Sequence, residues 1–260
     1  MGGCQAVASH DRVPFISGDN FHLAKPRDTL NNSAAFLQVR ARCDETGTIV
    51  RETGEAASLA VLGRQSFDTK SYMPTKLEAT PIPGVMLVIP DILADARGFF
   101  TEVYRADRFK QLGLPEIFLQ WNQSHSVKNV VRGLHFQWDP PMAKLMRVTL
   151  GEAYLVAVDI RKGSPTLGKH FGAIVSAENK KMIYAPAGFA RGFCVLSERA
   201  DIQYLCTGIY NPKTESGILW SDAALGIQWP VTNPILSPKD EKAQTLAEWL
   251  AQPESDCFKC

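Results

Sequence analysis

The sequence predicts an all-β domain of the sandwich or barrel type with a few short helices, and three observations predict it. From about residue 73 onward, short apolar runs recur between Gly- and Pro-bearing turns. Helical periodicity is confined to two places. The composition of the 260-residue chain, 45% hydrophobic and 21% charged, suffices for a sizeable buried core.

Residues 1–72 hold their apolar side chains in short clusters, 34–37 and 59–62, separated by polar stretches such as ARCDETGTIVRETGE that follow neither a strand nor a helix period. They are expected to be a mostly disordered or misassigned extension, with a small N-terminal domain as the alternative. Met73-Pro74 reads as a natural start for a folded domain of residues 73–260. After a Pro/Gly turn, 85–89 is a short apolar strand. Further strands are expected at 130–136, 145–148, 153–160, 171–175, 182–185 and 203–206. Gly151-Glu152, Lys162-Gly163-Ser164-Pro165 and Pro186-Ala187-Gly188 supply turns between them. Helices are expected at 106–112 and at 240–250, where Leu246 and Leu250 share a face at i, i+4.

A formal net charge of +1 excludes a broad electrostatic grip on nucleic acid or an acidic membrane. No apolar run approaches the roughly 20 residues that span a bilayer. The first twenty residues lack the basic-then-apolar order of a secretory signal. Six scattered cysteines make no disulfide framework at this length, so a reduced, cytoplasmic protein is expected.

Three motifs tempt. Gly163-Ser164-Pro165-Thr166-Leu167-Gly168-Lys169-His170 nearly matches a phosphate-binding loop. However, His170 replaces the magnesium-binding hydroxyl, and the following FGAIVSAEN is strand-like rather than helical, so a turn between strands is expected. Cys257-Phe258-Lys259-Cys260 is a lone C-x-x-C without two further zinc ligands and reads as frayed tail thiols. Of the histidines in the folded domain, His125, His135 and His170, none forms an H-x-H pair, so no metal centre is expected.

Polar groups planted in apolar strands carry more weight. Arg97 to Glu102, Gln120 to Ser124, Arg132 to His135 and Lys144 to Arg147 each interrupt strand-like sequence. Burying an isolated charge is costly, so such recurrence indicates a lined cavity. Strict alternation would set Val130, Arg132 and Leu134 on one face and Val131, Gly133 and His135 on the other. For any single residue, a salt bridge or a solvent-facing position is an equally good reading.

The blocks DARGFFTEVYR, FLQWNQS, VVRGLHFQ, AKLMRVTLGEAY, VAVDIRKGSPTLGKH, SAENKKMIYAPAGFARGF, QYLCT, ILWSDAALGIQWP and LSPKD run in the order of the dTDP-4-dehydrorhamnose 3,5-epimerase family, which residues 80–245 resemble. The resemblance implies a cupin-type double-stranded β-helix, or jelly roll, a homodimer and a site with neither metal nor cofactor. It implies proton removal and return at the carbons flanking the C4 ketone of a dTDP-4-keto-6-deoxyhexose, as in dTDP-L-rhamnose biosynthesis. That chemistry needs a base near neutral pKa, an acid on the opposite face and a cation beside the oxygen where enolate charge develops. His135 matches the family's base and Asp240 the carboxylate that orients it. Lys144 matches the cation and Tyr204 the acid. Arg97, Glu102, Gln120, Asn122, Arg132, Glu215 and Lys239 match substrate-binding positions, and Tyr210 the aromatic that stacks on thymine.

Two positions depart from the family pattern. Arg191 stands in A-R-G-F where a histidine is usual, and Leu155 where an aspartate is usual. An arginine cannot shuttle protons near neutral pH, so Arg191 is expected to contact substrate or to strengthen enolate stabilisation. Three alternatives stay open. They are a single-centre epimerase on another nucleotide-activated 4-keto sugar, a cupin that binds a sugar nucleotide without turning it over, and a metal-dependent cupin, which would need the missing H-x-H.

Overall fold

The computed structural model describes residues 41–43, 49–51 and 75–260. The chain divides into two units, Met1–Ser66 and Phe67–Cys260. In the first, β1 (Ala41–Cys43) pairs antiparallel with β2 (Ile49–Arg51), a ladder in a stretch where no strand period is visible. The expectation of disorder for the rest of residues 1–72 lies outside the described residues.

The second unit contains β3 (Lys76–Ala79), β4 (Met86–Ile89), β5 (Leu93–Asp95), β6 (Gly98–Phe100), α1 (Ala106–Gln111), β7 (Gln120–Val127), β8 (Val131–Gln137), β9 (Lys144–Leu150), β10 (Glu152–Asp159), β11 (His170–Ser176), β12 (Met182–Ala185), β13 (Phe189–Val195), β14 (Arg199–Cys206), β15 (Glu215–Gly217), α2 (Pro238–Glu241), α3 (Leu246–Leu250) and a terminal 3-10 turn, Pro253–Phe258. One six-stranded sheet runs β3-β4-β12-β9-β14-β7 and one five-stranded sheet β11-β10-β13-β8-β15. Every pairing within both sheets is antiparallel. The β5–β6 hairpin stands apart from both sheets.

Alternating side chains bind the two sheets into a sandwich. Met146, Val148, Ile183 and Ile202 from the larger sheet meet Leu155, Val175, Phe193 and Val195 from the smaller one in a single buried cluster. Leu155 is fully enclosed there, so the position that usually carries an aspartate is part of the apolar core. A second cluster lies on the other face of the smaller sheet, where Leu134, Phe136, Val156 and Val158 are covered by Trp249 of α3 and by Phe258. Strand β10 is thus buried on both faces, which is why its sequence YLVAV is apolar without interruption.

Several expectations change in detail. The helix expected over 240–250 is two helices. Ser237 caps α2, and Thr245 opens α3 with a capping box to Glu248, so each begins with its own satisfied N-terminus. The tail is docked rather than frayed. Ser255 and Phe258 are buried, and the Cys260 N–H donates to the Lys162 carbonyl (2.9 Å), while the thiols of Cys257 and Cys260 remain exposed. Residues 163–169 form the expected β10–β11 connection. It is organised by the buried Asp159 carboxylate, which accepts from Arg161 (2.7 and 2.9 Å), Ser164 (2.5 Å) and Thr166 (2.7 Å).

Strand β8 also breaks the strict alternation. Arg191 and Phe193 of β13 oppose His135 and Arg132, so three steps along β8 match two along β13. This is a β-bulge, centred on Gly133 at φ +123°. A Cβ on Gly133 would stand 2.6 Å from the Gly192 Cα and 2.8 Å from the Arg191 carbonyl, so only glycine fits. The extra residue turns Arg132 and His135 toward the same interior side, not opposite ones.

Candidate active site

The inward faces of both sheets meet at a cavity of about 110 Å³ lined by Ser124, Arg132, His135, Lys144, Met146, Arg191, Gly192, Phe193 and Tyr204. His135 and Arg132 come from β8, Lys144 from β9, Arg191 from β13 and Tyr204 from β14. His135 and Tyr204 therefore reach the cavity from opposite sheets.

His135 donates through Nε2 to Asp240 Oδ1 at 2.6 Å, which leaves Nδ1 for the cavity side of the ring. The Asp240 carboxyl is almost wholly buried on α2. Burial opposes its ionisation, but the hydrogen bond and charge of His135, with further bonds from Ser237 and the Gly133 N–H, outweigh it and hold the carboxyl below its usual range. The bulge thus fixes the dyad twice, by aiming His135 and by supplying a donor to its partner. Burial pushes the Tyr204 phenol up, with Cys206 and Glu215 adding to the effect and Arg132 opposing it. The Lys144 ammonium lies 5.3 Å from the centroid of the Tyr204 ring.

The remaining sequence-selected residues fall in three places. Glu215 and Lys239 pair with each other in an adjoining hollow of about 390 Å³ that His135 and Asp240 also line. Gln120 and Asn122 point inward from β7, linked by a 3.0 Å hydrogen bond, and Gln120 accepts from the Tyr210 N–H at 2.7 Å. The Tyr210 ring is half-exposed. Glu102 lies with Gln120 in a third, largely apolar hollow of about 610 Å³ that shares no lining residue with the His135 cavity. Arg97 sits on the β5–β6 hairpin, paired with Asp95 and 90% exposed, away from the cavity.

Arg191 lines the cavity, and its Nη groups are engaged by main chain: Nη1 donates to the carbonyls of Ala185 (3.1 Å) and Pro186 (2.9 Å), and Nη2 to that of Met142 (2.8 Å). Ser124, which the sequence marked only as the end of a polar block and not as a site residue, also lines the cavity, with a buried hydroxyl that has no partner among the described residues. The signal was present: Gln120, Asn122 and Ser124 are successive inward positions of one strand. His125 pairs with Asp201 on the outer face of β7, and His170 meets the Leu225 carbonyl; neither lines the cavity.

A jelly-roll sandwich whose interior gathers a carboxylate-held histidine, a tyrosine and a lysine around one cavity brings together the groups that acid–base chemistry needs, and its architecture is that of the cupin-like epimerases. Residues 79–248 match the family model described as dTDP-4-dehydrorhamnose 3,5-epimerase. The chain belongs to that family. It is 48% identical over 170 residues to a dTDP-4-dehydrorhamnose 3,5-epimerase of Neisseria gonorrhoeae, covering 65% of this chain but 52% of that protein, so the chain spans about half the length of that relative. It is 41% identical over 175 residues to a dTDP-4-dehydrorhamnose 3-epimerase of Streptomyces niveus, covering 66% of this chain and 84% of the other. The crystal structure of a dTDP-6-deoxy-D-glucose-3,5-epimerase from Legionella pneumophila Philadelphia 1, in complex with dTDP-4-keto-L-rhamnose, superposes with a TM-score of 0.67 at 43% identity, covering 70% of this chain and 97% of that one.

Proposed function

We propose that this protein epimerises a dTDP-4-keto-6-deoxyhexose at C3 and C5, by proton removal and return beside the C4 ketone. The observation that carries the reading is the placement of the Asp240-held His135 and of Tyr204 on opposite walls of one cavity that also holds Lys144. His135, its tautomer fixed by donation to Asp240, takes the carbon-bound proton on Nδ1. The electron pair moves toward the C4 oxygen, where positive charge at Lys144 stabilises it. Tyr204 returns a proton to the opposite face of the carbon. Arg132, Glu215 and Lys239 border the same region and serve the diphosphate and sugar, arginine with paired donors suited to phosphate oxygens. Gln120, Asn122 and Tyr210, joined by hydrogen bonds, are read as the thymidine end, and Arg97 and Glu102 as outer contacts.

The working molecule is a homodimer in this reading. Phe99, Phe100, Leu119 and Trp121 are each more than half exposed, an apolar surface that a second copy can cover. No described helix is long and apolar enough to cross a membrane, in keeping with a cytoplasmic enzyme.

A single-centre epimerase is the second reading. It is favoured by Arg191, which departs from the family pattern beside the base, and by Leu155, which departs from it in the apolar core. Incubation with dTDP-4-keto-6-deoxyglucose in deuterated water separates the two. Deuterium at both C3 and C5 is the expected result, and deuterium at one carbon selects the single-centre reading. Binding without exchange reduces the protein to a sugar-nucleotide-binding cupin and overturns both.

A further inference from the structure

Arg191 is 4% exposed, yet no carboxylate contributes to its electrostatic surroundings among the described residues. Its guanidinium spans the sandwich. Across β13 and β8 it faces His135, and its three carbonyl partners belong to the opposite sheet and its connections. Ala185 is the register partner of Lys144, and Met142 lies two residues before Lys144. The guanidinium therefore grips both sides of the point from which Lys144 projects. Lys144 makes no ion pair among the described residues. Glu215 lies within its field but pairs with Lys239. The other titratable or charged groups around it are Arg191 on β13, Cys206 and Tyr204 on β14, His135 and Arg132 on β8, and Lys239 on α2.

We propose that Arg191 is a positioning residue that makes Lys144 a proton donor to the sugar's C4 oxygen, rather than a permanent ammonium beside it. The inference rests on the epimerase reading above. As His135 takes the proton from carbon, the carbon–hydrogen pair becomes the C=C bond of an enol. The carbonyl π pair takes a proton from Lys144 Nζ, leaving a neutral amine. When Tyr204 protonates the carbon on its other face, the C4 hydroxyl returns its proton to Lys144 and the ketone reforms. Such a donor must release and regain its proton within the working pH range. Burial, and then the adjacent Arg191 charge, lower Lys144 to about 8, while burial holds Tyr204 and Cys206 above their usual values. A histidine at position 191 would lose its charge across the same range, whereas arginine keeps it.

The test is the pH dependence of kcat/KM, which reports the groups of the free enzyme, for the wild type, R191K and R191Q, with Lys144 titrated directly by NMR on isotope-labelled lysine. In the wild type kcat/KM should fall by half near pH 8. One pH unit higher it should stand at about a tenth of its plateau, as for a single essential proton. R191K, which keeps the charge, should leave this limb in place, and R191Q should move it to higher pH. The NMR titration should move in parallel. An alkaline limb lying only above pH 10, or one unmoved in R191Q, overturns the proposal, and the wild-type profile decides it even where R191Q does not fold. Absence of turnover in every variant refutes the epimerase reading and the proposal with it. The NMR titration then still reports whether Arg191 and Lys144 are coupled.

Discussion

At His135, one hydrogen bond to a buried carboxylate separates the proposed base from an ordinary surface histidine. His135→Ala is expected to lower the rate of hydrogen exchange at carbon by about 10²- to 10⁴-fold, the usual worth of a positioned general base. Tyr204→Phe removes the donor on the other wall and should spare exchange while depressing formation of epimerised product. Measuring both quantities by NMR in deuterated water checks the assignment, and equal loss of exchange in the two variants would reverse it. His135 and Lys144 stood out in the sequence as polar residues in apolar strands. The selection of all four, His135, Tyr204, Lys144 and Asp240, came from the resemblance of the motif blocks, because strand pattern alone allows a salt bridge or a solvent-facing position for any one of them, and Asp240 lies on a helix. The bonding of Arg191 was not legible. Which carbonyls converge on a guanidinium depends on how two sheets face each other, and strand periodicity carries no information about that.

At the scale of elements, the bulge in β8 decides which side chains share the cavity. Gly133→Ala would drive a methyl into the backbone of Gly192 and Arg191 at a φ that L side chains rarely adopt. A destabilisation of about 1–3 kcal/mol is expected, read as a lower urea midpoint at unchanged slope. Activity should suffer beyond the stability loss, because the same shift moves His135 and the N–H that Gly133 gives to Asp240. Sequence alternation placed Arg132 and His135 on opposite faces, and an inserted residue defeats any period-two reading. The short helices show the converse. A single apolar spacing, Leu246 to Leu250, suggested one helix, whereas the caps at Ser237 and Thr245 define two. Strands β7 and β13 were hard to read for opposite reasons. The inward face of β7 is polar because it lines the site, and β13 is buried along its whole length and shows no alternation.

Over the whole molecule, the family match begins at residue 79 and the described sandwich at residue 75. A chain beginning at Met73 is therefore expected to fold, to turn over at the full-length rate and to sediment as a dimer. Insoluble protein or loss of rate would assign the first 72 residues a structural role. The jelly-roll architecture was legible from many short strands and the order of the motif blocks. The boundary of the N-terminal stretch rested on texture alone, and the β1–β2 ladder has too short an apolar pattern to register.

Phe258 packs beside the Phe136–Trp249 pair, whose ring centroids are 4.6 Å apart, with its own centroid 6.3 and 6.4 Å from theirs. Phe136 is the next residue after His135 and points out of the other side of the same strand. The proposed base is therefore buttressed from behind by the turn Pro253–Phe258. A chain cut after Gln252 loses that bracing, and it is expected to slow before it precipitates.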